Sequence, residues 1–445
     1  MSARLVALKT LLDIDRSSAY TDKAIDRHLS PSVLSGLDKS LATELVYGII
    51  RRQRTLDNLI DSLGNKKAQQ QPPALRRILH IGLYQLRYLH HIPESAAVNT
   101  AVELTKDQGF GKLAGVVNGI LRQYLRQVEA QGDALILPPD TVSRLGIIHS
   151  FPDWLISLWL DQFTEEETEK LCAWFNQSPS IDIRINPLKT NRDEVKNLLE
   201  NAGVEVMTVG DLPQTLRLLR NVGNVKQLPG FSEGLYTIQD SSAQLVGHLL
   251  DPQPRETIID ACAAPGGKTC HIAELMGDRG KVWACDPVAS RLKQIEGNIK
   301  RLSLHSVEIK QGDSRHQPGL IGKGDRVLLD APCSGLGTLH KRPDIRWRER
   351  GDNLEQLSGL QSELLSHTAD WVKPEGILVY ATCTLNKGEN EEVIIDFLGR
   401  HPGWRIENNL PSMFTPFVTA EGWLKVLPHV HQMDGFFMVK LVKDR

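Results

Sequence analysis

The 445-residue sequence lacks the marks of secreted, disulfide-stapled and membrane-spanning proteins. It has only six cysteines, which form no Cys-x-x-Cys pair and show no spacing with histidine that is typical of a zinc site. No segment approaches the roughly 18 apolar residues of a membrane span, and the charged N-terminus has no signal-peptide core. We therefore expect a cytoplasmic protein with reduced thiols that is not exported, binds no metal and contacts no membrane.

The sequence also lacks a strong net charge. Its formal charge of -2 gives no overall attraction to nucleic acid, so a polyanion would have to be held by local patches. A solvated helix face explains any single basic cluster, whereas three clusters in one region favour a polyanion-binding surface. Such clusters occur at Arg51-Arg52-Gln53-Arg54, at Arg76-Arg77, and at Arg122 with Arg126.

The hydrophobic pattern divides the chain into regions of different type. Residues 1–125 repeat apolar positions every three or four residues, which predicts a helical bundle, and prolines at 31, 72, 73 and 93 predict helix breaks. Residues 126–150 are predicted to be a connector. Residues 151–232 are predicted to form a small α+β module, in which Asp182 and Arg184 alternate with isoleucines as on a half-buried strand.

Short apolar strands and helices alternate from residue 233 to the C-terminus at residue 445. This alternation predicts an α/β fold of the Rossmann-like type, a doubly wound parallel sheet with helices on both faces. Ligands of such sheets lie at the carboxyl ends of the strands. Candidate site residues are therefore sought at these ends.

A glycine-containing turn, Asp260-Ala-Cys-Ala-Ala-Pro-Gly-Gly-Lys-Thr269, follows the first of these strands. Gly266 and Gly267 allow a ligand to approach the backbone closely, but the segment matches neither a dinucleotide fingerprint nor a P-loop. Acidic residues end successive strands at Asp260, Asp286 and Asp313, where carboxylates can bind ribose hydroxyls or an amine. Together these features predict a nucleoside ligand without a diphosphate.

Two further strands end in cysteine-containing segments, Asp330-Ala-Pro-Cys333-Ser-Gly and Ala381-Thr-Cys383-Thr. Free cysteines are usually buried for packing, but the position of this pair at strand ends favours a catalytic role. Packing is the interpretation for the other four, Cys172, Cys262, Cys270 and Cys285.

These segments resemble the S-adenosylmethionine-dependent RNA cytosine-5 methyltransferases of the NOL1/NOP2/Sun family over about residues 151–445. The specific matches are DACAAPGGKT and DAPCSG; ATCT departs from the ATCS that the family often shows. Residues 1–125 resemble the NusB-type RNA-binding domain, so the whole chain resembles the bacterial 16S ribosomal RNA methyltransferases of this family. The other matching segments are Gln239-Asp240-Ser241-Ser242, HKRPDIRW at 340–347, Lys373-Pro374-Glu375-Gly376, Glu389-Asn390-Glu391, and DGFF at 434–437.

The resemblance implies S-adenosylmethionine as cofactor and a cytosine of 16S ribosomal RNA, of the position-967 class, as substrate of a monomeric enzyme. Transfer RNA is an alternative substrate, and a non-catalytic ribosome-assembly or antitermination factor is an alternative of another class. The implied cofactor-binding residues are Cys262, Ala263, Ala264, Pro265, Gly266, Gly267, Lys268, Asp286, Asp313 and Asp330.

Methylation at carbon 5 of cytosine requires a thiolate that adds to carbon 6 and makes carbon 5 nucleophilic. The resemblance assigns Cys383 as this nucleophile and Cys333 as the thiol that helps proton removal or release of the adduct. Asp330 would contact N3 in a protonated or hydrogen-bonded state, and Lys268 would contact the base or Asp330. The order of the thiols stays open, because DNA cytosine-5 enzymes use the cysteine of a Pro-Cys motif, which would be Cys333.

The basic stretch from His340 to Arg350 interleaves cations with Trp347 close to one of these motifs. This pattern is typical of phosphate contact combined with base stacking, and it predicts an RNA-binding loop. The alternative is a surface loop whose cations pair with Asp344 and Glu349.

Overall fold

The computed structural model describes residues 2–17 and 19–445, and the chain divides into two compact units. The first, which we call the helical unit, comprises the chain up to residue 177 together with residues 339–348. The second, the sheet unit, comprises residues 178–338 and 349–445. Residues 178–232 of the predicted α+β module and the Rossmann-like sheet both belong to the sheet unit.

Proline sets several helix borders of the helical unit, as the sequence predicts. The second helix ends just before Pro31, the fourth begins at Pro73, and the fifth begins directly after Pro93. The helices of this unit are α1 (Ala3–Ser17), α2 (Thr21–Leu29), α3 (Gly36–Leu63), α4 (Pro73–Tyr88), α5 (Glu94–Asp107), α6 (Ala114–Gln131), α7 (Thr141–His149), α8 (Asp153–Leu160), α9 (Glu165–Phe175) and α14 (Ile345–Arg348).

The stretch predicted to be a connector, residues 126–150, is largely helical. It contains the end of α6 and all of α7, whose Leu145 is fully buried. The Thr55 hydroxyl donates a 2.6 Å hydrogen bond to the carbonyl oxygen of Ile147 and so fixes α7 against α3. Helices α8 and α9, which we predicted within the α+β module, also belong to the helical unit.

The basic stretch predicted to bind RNA is mostly internal to the helical unit, so that prediction is wrong for its central residues. Arg346 is fully buried, and its guanidinium donates to the carbonyl oxygens of Arg51 at 3.1 Å and Ser150 at 3.2 Å. The Trp347 indole donates to the Ile50 carbonyl at 2.8 Å. The alternative, pairing within the loop, holds for Arg348, which lies 3.1 Å from Asp344. A cation with carbonyl partners inside a protein contributes to folding and cannot meet a phosphate.

Several of the clustered arginines also point inward. The Arg51 side chain is buried, Arg76 binds Asp57, and Arg77 binds Asp15, each pair through side-chain hydrogen bonds. The sequence pattern could not reveal this, because the acidic partners come from distant positions on other turns. Arg122 and Arg126 differ, since both are exposed on α6.

The sheet unit contains two sheets. Its strands are β1 (Ile181–Ile185), β2 (Glu205–Thr208), β3 (Thr215–Arg220), β4 (Tyr236–Ile238), β5 (Thr257–Asp260), β6 (Lys281–Asp286), β7 (Val307–Gln311), β8 (Gly324–Asp330), β9 (Val372–Thr382), β10 (Trp404–Ile406), β11 (Leu424–Val426) and β12 (Phe436–Lys443). Its helices are α10 (Arg192–Asn201), α11 (Ser241–Leu250), α12 (Gly267–Leu275), α13 (Ala289–Leu302), α15 (Gly351–Ala369), α16 (Glu391–Arg400) and α17 (Pro428–His431).

The smaller sheet has the antiparallel order β2-β3-β1-β4. The prediction that β1 is half-buried is wrong, because Asp182 and Arg184 are as buried as Ile183 and Ile185. Each charge is matched inside the protein: Arg217 binds Asp182 at 2.7 Å, and Arg184 binds Glu274 at 2.9 Å. The alternation of charged residues with isoleucines therefore occurs here in a strand that is covered on both faces.

The larger sheet has the order β10-β12-β9-β8-β5-β6-β7, with β11 paired to β12. Strands β5 to β9 run parallel, which confirms the predicted Rossmann-like α/β fold, and β12 adds an antiparallel strand beside β9. In the part of the chain that the structure describes, no helix is long and apolar enough to cross a membrane.

Candidate active site

The predicted site residues meet at the carboxyl edge of the larger sheet. Asp260, Asp286 and Asp330 are the last residues of β5, β6 and β8, and Cys383 follows directly after β9. Register keeps the ends together, since Asp260 pairs with Leu328 and Asp330 pairs with Ala381. The edge therefore collects carboxylates and thiols from neighbouring strands.

The two predicted catalytic cysteines lie side by side. The sulfur atoms of Cys333 and Cys383 are 3.4 Å apart, and both residues are half-buried. The backbone N–H of Gly337 donates to the Cys383 carbonyl at 2.9 Å, and a side chain at Gly337 would collide with the backbone of Gly435. Three loops thus converge closely around the sulfur pair.

The protonation of Cys333 is set by this contact. Its hydrogen bond with Cys383, burial, and the charge of Cys383 raise the pKa of the Cys333 thiol well above its ordinary value. A shared proton and a half-buried pair favour one thiol and one thiolate rather than two thiolates. The pair can therefore supply one nucleophile together with one proton-carrying neighbour.

Lys268 and Asp330 form an ion pair beside the thiols. The Lys268 ammonium donates to the Asp330 carboxylate at 2.6 Å and lies 5.0 Å from the centre of the Phe436 ring. Burial lowers the pKa of Lys268, but the charge and hydrogen bond of Asp330 more than offset this effect and raise it overall. Lys268 therefore stays protonated as a hydrogen-bond donor, and the Asp330 carboxylate holds its ammonium group in place.

The turn between β5 and α12 combines a positive-φ glycine with a helix start that has no side-chain cap. Gly266 has a φ of 98°, and a Cβ atom there would lie 3.2 Å from the Cα atom of Ile295. Ala263 and Ala264 of this turn are buried, and α12 begins at Gly267 without a side-chain cap. Uncapped N–H groups at a helix N-terminus are donors for a carboxylate ligand. Cys262 and Pro265 belong to the same turn.

Asp260 stands beneath this turn. Burial is the largest cause that raises the pKa of its carboxyl from 3.8 to about 7, although the Thr269 hydroxyl donates to it at 2.6 Å and lowers it. Its second oxygen is buried without a hydrogen-bond partner. This carboxyl group therefore titrates near neutral pH.

The other two acidic candidates differ in environment. Asp286 is buried, accepts the Val288 backbone N–H at 2.9 Å, and lies 3.2 Å from the Arg291 guanidinium. Asp313 is more exposed, and its hydrogen bonds to Arg315 lower the pKa of its carboxyl to about 2. Asp286 thus resembles a buried ribose acceptor, whereas a ligand amine at Asp313 would share the carboxylate with Arg315.

Three segments of the chain match protein families. Residues 247–442 match the 16S rRNA methyltransferase RsmB/F family, residues 1–126 match the NusB family, and residues 151–225 match the ferredoxin-like domain of the RsmF/B-like methyltransferases. A relative from Synechocystis sp., a probable ribosomal RNA small subunit methyltransferase B, is 51% identical over 100% of both chains. The chain belongs to the RsmB/F family.

Another RsmB/F relative and two solved structures are also similar to this chain. The ribosomal RNA small subunit methyltransferase B of Klebsiella pneumoniae is 38% identical, over 93% of this chain and 92% of its own. The crystal structure of PH0851 superimposes with a TM-score of 0.81 at 29% identity, covering 100% of this chain and 99% of its own. NSun6 from Pyrococcus horikoshii, solved with SFG, gives a TM-score of 0.60 at 25% identity, over 67% of this chain and 100% of its own.

One residue that links this RsmB/F site to the smaller sheet was not predicted from the sequence. Arg184 of β1 binds Glu274 of α12 through two hydrogen bonds of 2.9 Å, and it also donates to the Gly267 carbonyl at 2.8 Å and to Gln239. The first turn of α12 is therefore fixed by the ferredoxin-like module. A charged residue in the middle of an apolar strand was the signal that could have identified it.

The remaining cysteines fit the packing interpretation. Cys172, Cys270 and Cys285 are fully buried, and burial raises the pKa of Cys270 and of Cys285 to about 12. Thiols in such surroundings are poor nucleophiles. Phe436, in contrast, lies beside Lys268, and the sequence pointed to it only as part of the DGFF segment.

Proposed function

We propose that this protein is an S-adenosylmethionine-dependent methyltransferase that forms 5-methylcytosine in 16S ribosomal RNA, with a cytosine of the position-967 class as its target. The observation that carries the proposal is the pair of sulfur atoms 3.4 Å apart beside the Lys268–Asp330 ion pair. A methyltransferase acting on oxygen or on an exocyclic nitrogen needs no thiol pair. Carbon-5 methylation needs one thiol to add to the ring and a second group to take the carbon-5 proton.

In this mechanism the Cys383 thiolate adds to carbon 6 of cytosine, and the ring electrons shift toward N3. The Lys268 ammonium, held by Asp330, is a donor for the base at this stage, so Asp330 itself need not carry a proton. Once Cys383 is bonded to carbon 6, it no longer provides the charge and the hydrogen bond that hold the proton on Cys333, so the Cys333 thiol releases that proton to solvent. After methyl transfer, the Cys333 thiolate takes the carbon-5 proton, the double bond reforms, and Cys383 leaves as thiolate. Cys333 is then again a thiol and Cys383 again a thiolate, and one proton has left the site.

The residues present fit the cofactor. S-adenosylmethionine supplies the electrophilic methyl group when bound. The uncapped first turn of α12, which begins after the positive-φ Gly266, would receive its carboxylate, and Asp286 would accept its ribose hydroxyls. Asp313, although paired with Arg315, is the candidate for its amine.

The chain organisation supports an RNA substrate. We propose residues 1–125 as an RNA-binding NusB-like domain, 126–150 as a linker that includes α7, 151–232 as an RNA-binding module and 233–445 as the methyltransferase domain of a cytoplasmic, monomeric enzyme. The exposed Arg122 and Arg126 are candidates for phosphate contact in the first region.

Bisulfite sequencing of ribosomal RNA from cells with and without the gene tests this function. We expect one 16S cytosine to lose protection from deamination in the deletion strain and to regain it when the gene is restored. If 16S rRNA is unchanged and a 5-methylcytosine signal is lost from transfer RNA, the substrate is transfer RNA and not 16S rRNA. If calorimetry detects no binding of S-adenosylmethionine to the protein, the result would support the non-catalytic alternative.

A further inference from the structure

A buried carboxylate lies between the two loops that carry the thiols. Glu389 belongs to the turn between β9 and α16, and its side chain is fully buried. It is part of the Glu389-Asn390-Glu391 segment, for which neither the sequence nor the proposed mechanism supplies a role. A fully buried carboxylate requires hydrogen-bond partners on both oxygens.

One set of partners belongs to the loop after β8. Glu389 Oε2 accepts the Ser334 backbone N–H at 2.8 Å, and Oε1 accepts the Ser334 hydroxyl at 2.5 Å. Ser334 directly follows Cys333 in the chain. Gln361 donates both to Glu389 Oε2 at 3.0 Å and to the Pro332 carbonyl at 2.8 Å. The carboxylate therefore fixes this loop on both sides of Cys333.

The second set of partners belongs to the loop after β9. Glu389 Oε1 accepts the Thr384 hydroxyl at 3.4 Å and the Asn386 side-chain amide at 3.2 Å. Thr384 directly follows Cys383, and its hydroxyl lies 2.9 Å from the Ser334 hydroxyl. The Tyr380 hydroxyl anchors the turn itself by donating to the Glu389 carbonyl at 2.6 Å.

All these groups can donate to Glu389, and an ionised carboxylate is an acceptor only. We propose that Glu389 is the positioning residue that sets the spacing of the two thiols, by joining the residue after Cys333 to the residue after Cys383. Its effect on spacing is independent of the reaction, whereas its effect on turnover rests on the proposed function. Glutamine has the same size but would direct an N–H₂ group at donors, so it cannot replace the carboxylate.

Charge supports the same role. The hydrogen bond with Cys383, burial and the charge of Cys383 raise the pKa of Cys333 most. The charge of Glu389 raises it further. The opposing charge near the pair is the Lys268 ammonium, itself held by Asp330, and it interacts with Cys383. Negative charge on one side and positive charge on the other favour the proton on Cys333 and the thiolate on Cys383.

The test uses the full-length protein and compares Glu389→Gln with Glu392→Gln, an exposed neighbour in the first turn of α16. The first readout is the affinity for phenylarsine oxide without RNA or cofactor. Its arsenic atom loses its oxygen as water when two thiols at the right spacing bind it together. The second readout is kcat and KM for methyl transfer to undermethylated 16S rRNA. Ser334→Ala, which removes one hydroxyl from the network, replaces Glu389→Gln if that variant does not fold.

We expect Glu389→Gln to weaken arsenical binding at least about tenfold, toward the level of the single-thiol variant Cys333→Ala, and to lower kcat about 100-fold with KM changed less than about threefold. Ser334→Ala should change both in the same direction by a smaller factor, and Glu392→Gln should match the wild type. Wild-type arsenical affinity and kcat in a folded Glu389→Gln variant would overturn the proposal. A wild-type protein without methyl transfer would refute the proposed function, while the arsenical readout would still decide the positioning role.

Discussion

Replacing Arg184 by methionine is expected to destabilise the sheet unit strongly. The guanidinium and its partner Glu274 are both buried, and they are joined by two hydrogen bonds of 2.9 Å. The variant would leave the Glu274 carboxylate buried without a cation, a change that costs about 3–5 kcal/mol of unfolding free energy. The Gly267 carbonyl would lose its donor as well.

Urea unfolding, with hydrogen exchange of β1 and α12 amides to locate the effect, measures this cost. The matched control is Arg220→Met in the same module, because Arg220 and its partner Glu205 are exposed and 3.6 Å apart. That variant should lose under about 1 kcal/mol. A double variant with methionine at 184 and 274 should regain at least half of the lost stability, because no charge stays buried. Equal costs for Arg184→Met and Arg220→Met, or a double variant no better than Arg184→Met, would refute this reasoning.

Three further predictions concern other buried or strained positions. The raised Asp260 pKa, about 7, means that the contribution of this carboxyl to stability is fully present below pH 3.8 and is lost as the pH rises to about 7. Between pH 4.5 and 8 this loss is about 3 kcal/mol, and Asp260→Asn should abolish it in urea unfolding at these two pH values; an equal loss in the variant and the wild type would contradict the prediction. Arg346→Met should cost the helical unit about 1–3 kcal/mol by leaving carbonyls without donors, whereas the exposed Arg342→Ala should cost under about 0.5 kcal/mol; hydrogen exchange compares them. Gly266→Ala should weaken S-adenosylmethionine binding in calorimetry because its φ of 98° is strained for alanine, while Gly297→Ala, with open space around it, should bind normally.

The parts of the fold that could be predicted from sequence depend on local pattern. Proline at Pro73 and Pro93 marks helix starts, and short apolar strands that alternate with helices specify a parallel sheet. The placement of candidate site residues at strand ends follows from the same rule, since the carboxyl ends of parallel strands share one edge. Hence Cys333 and Cys383, 50 positions apart, could be expected to lie near each other.

The misjudged features all depend on partners that are distant in sequence. Asp182 and Arg184 have the alternation of an exposed face, but Arg217 and Glu274 allow both to be buried. Arg346 stands in a stretch whose composition is typical of an RNA-binding loop, yet backbone carbonyls of the helical unit surround it. Charge in a sequence indicates that a partner is needed, and only the fold shows whether that partner is solvent, RNA or protein.

The order of the two thiols is tested most directly by mapping the covalent bond to RNA. The Cys333→Ala variant, incubated with 16S rRNA and S-adenosylmethionine, should accumulate an adduct because the carbon-5 proton is no longer removed. After nuclease and protease digestion, mass spectrometry should find the nucleotide on the peptide that contains Cys383, and Cys383→Ala should carry no nucleotide. An adduct on Cys333 in the Cys383→Ala protein, with none on Cys383 in the other variant, would contradict the account.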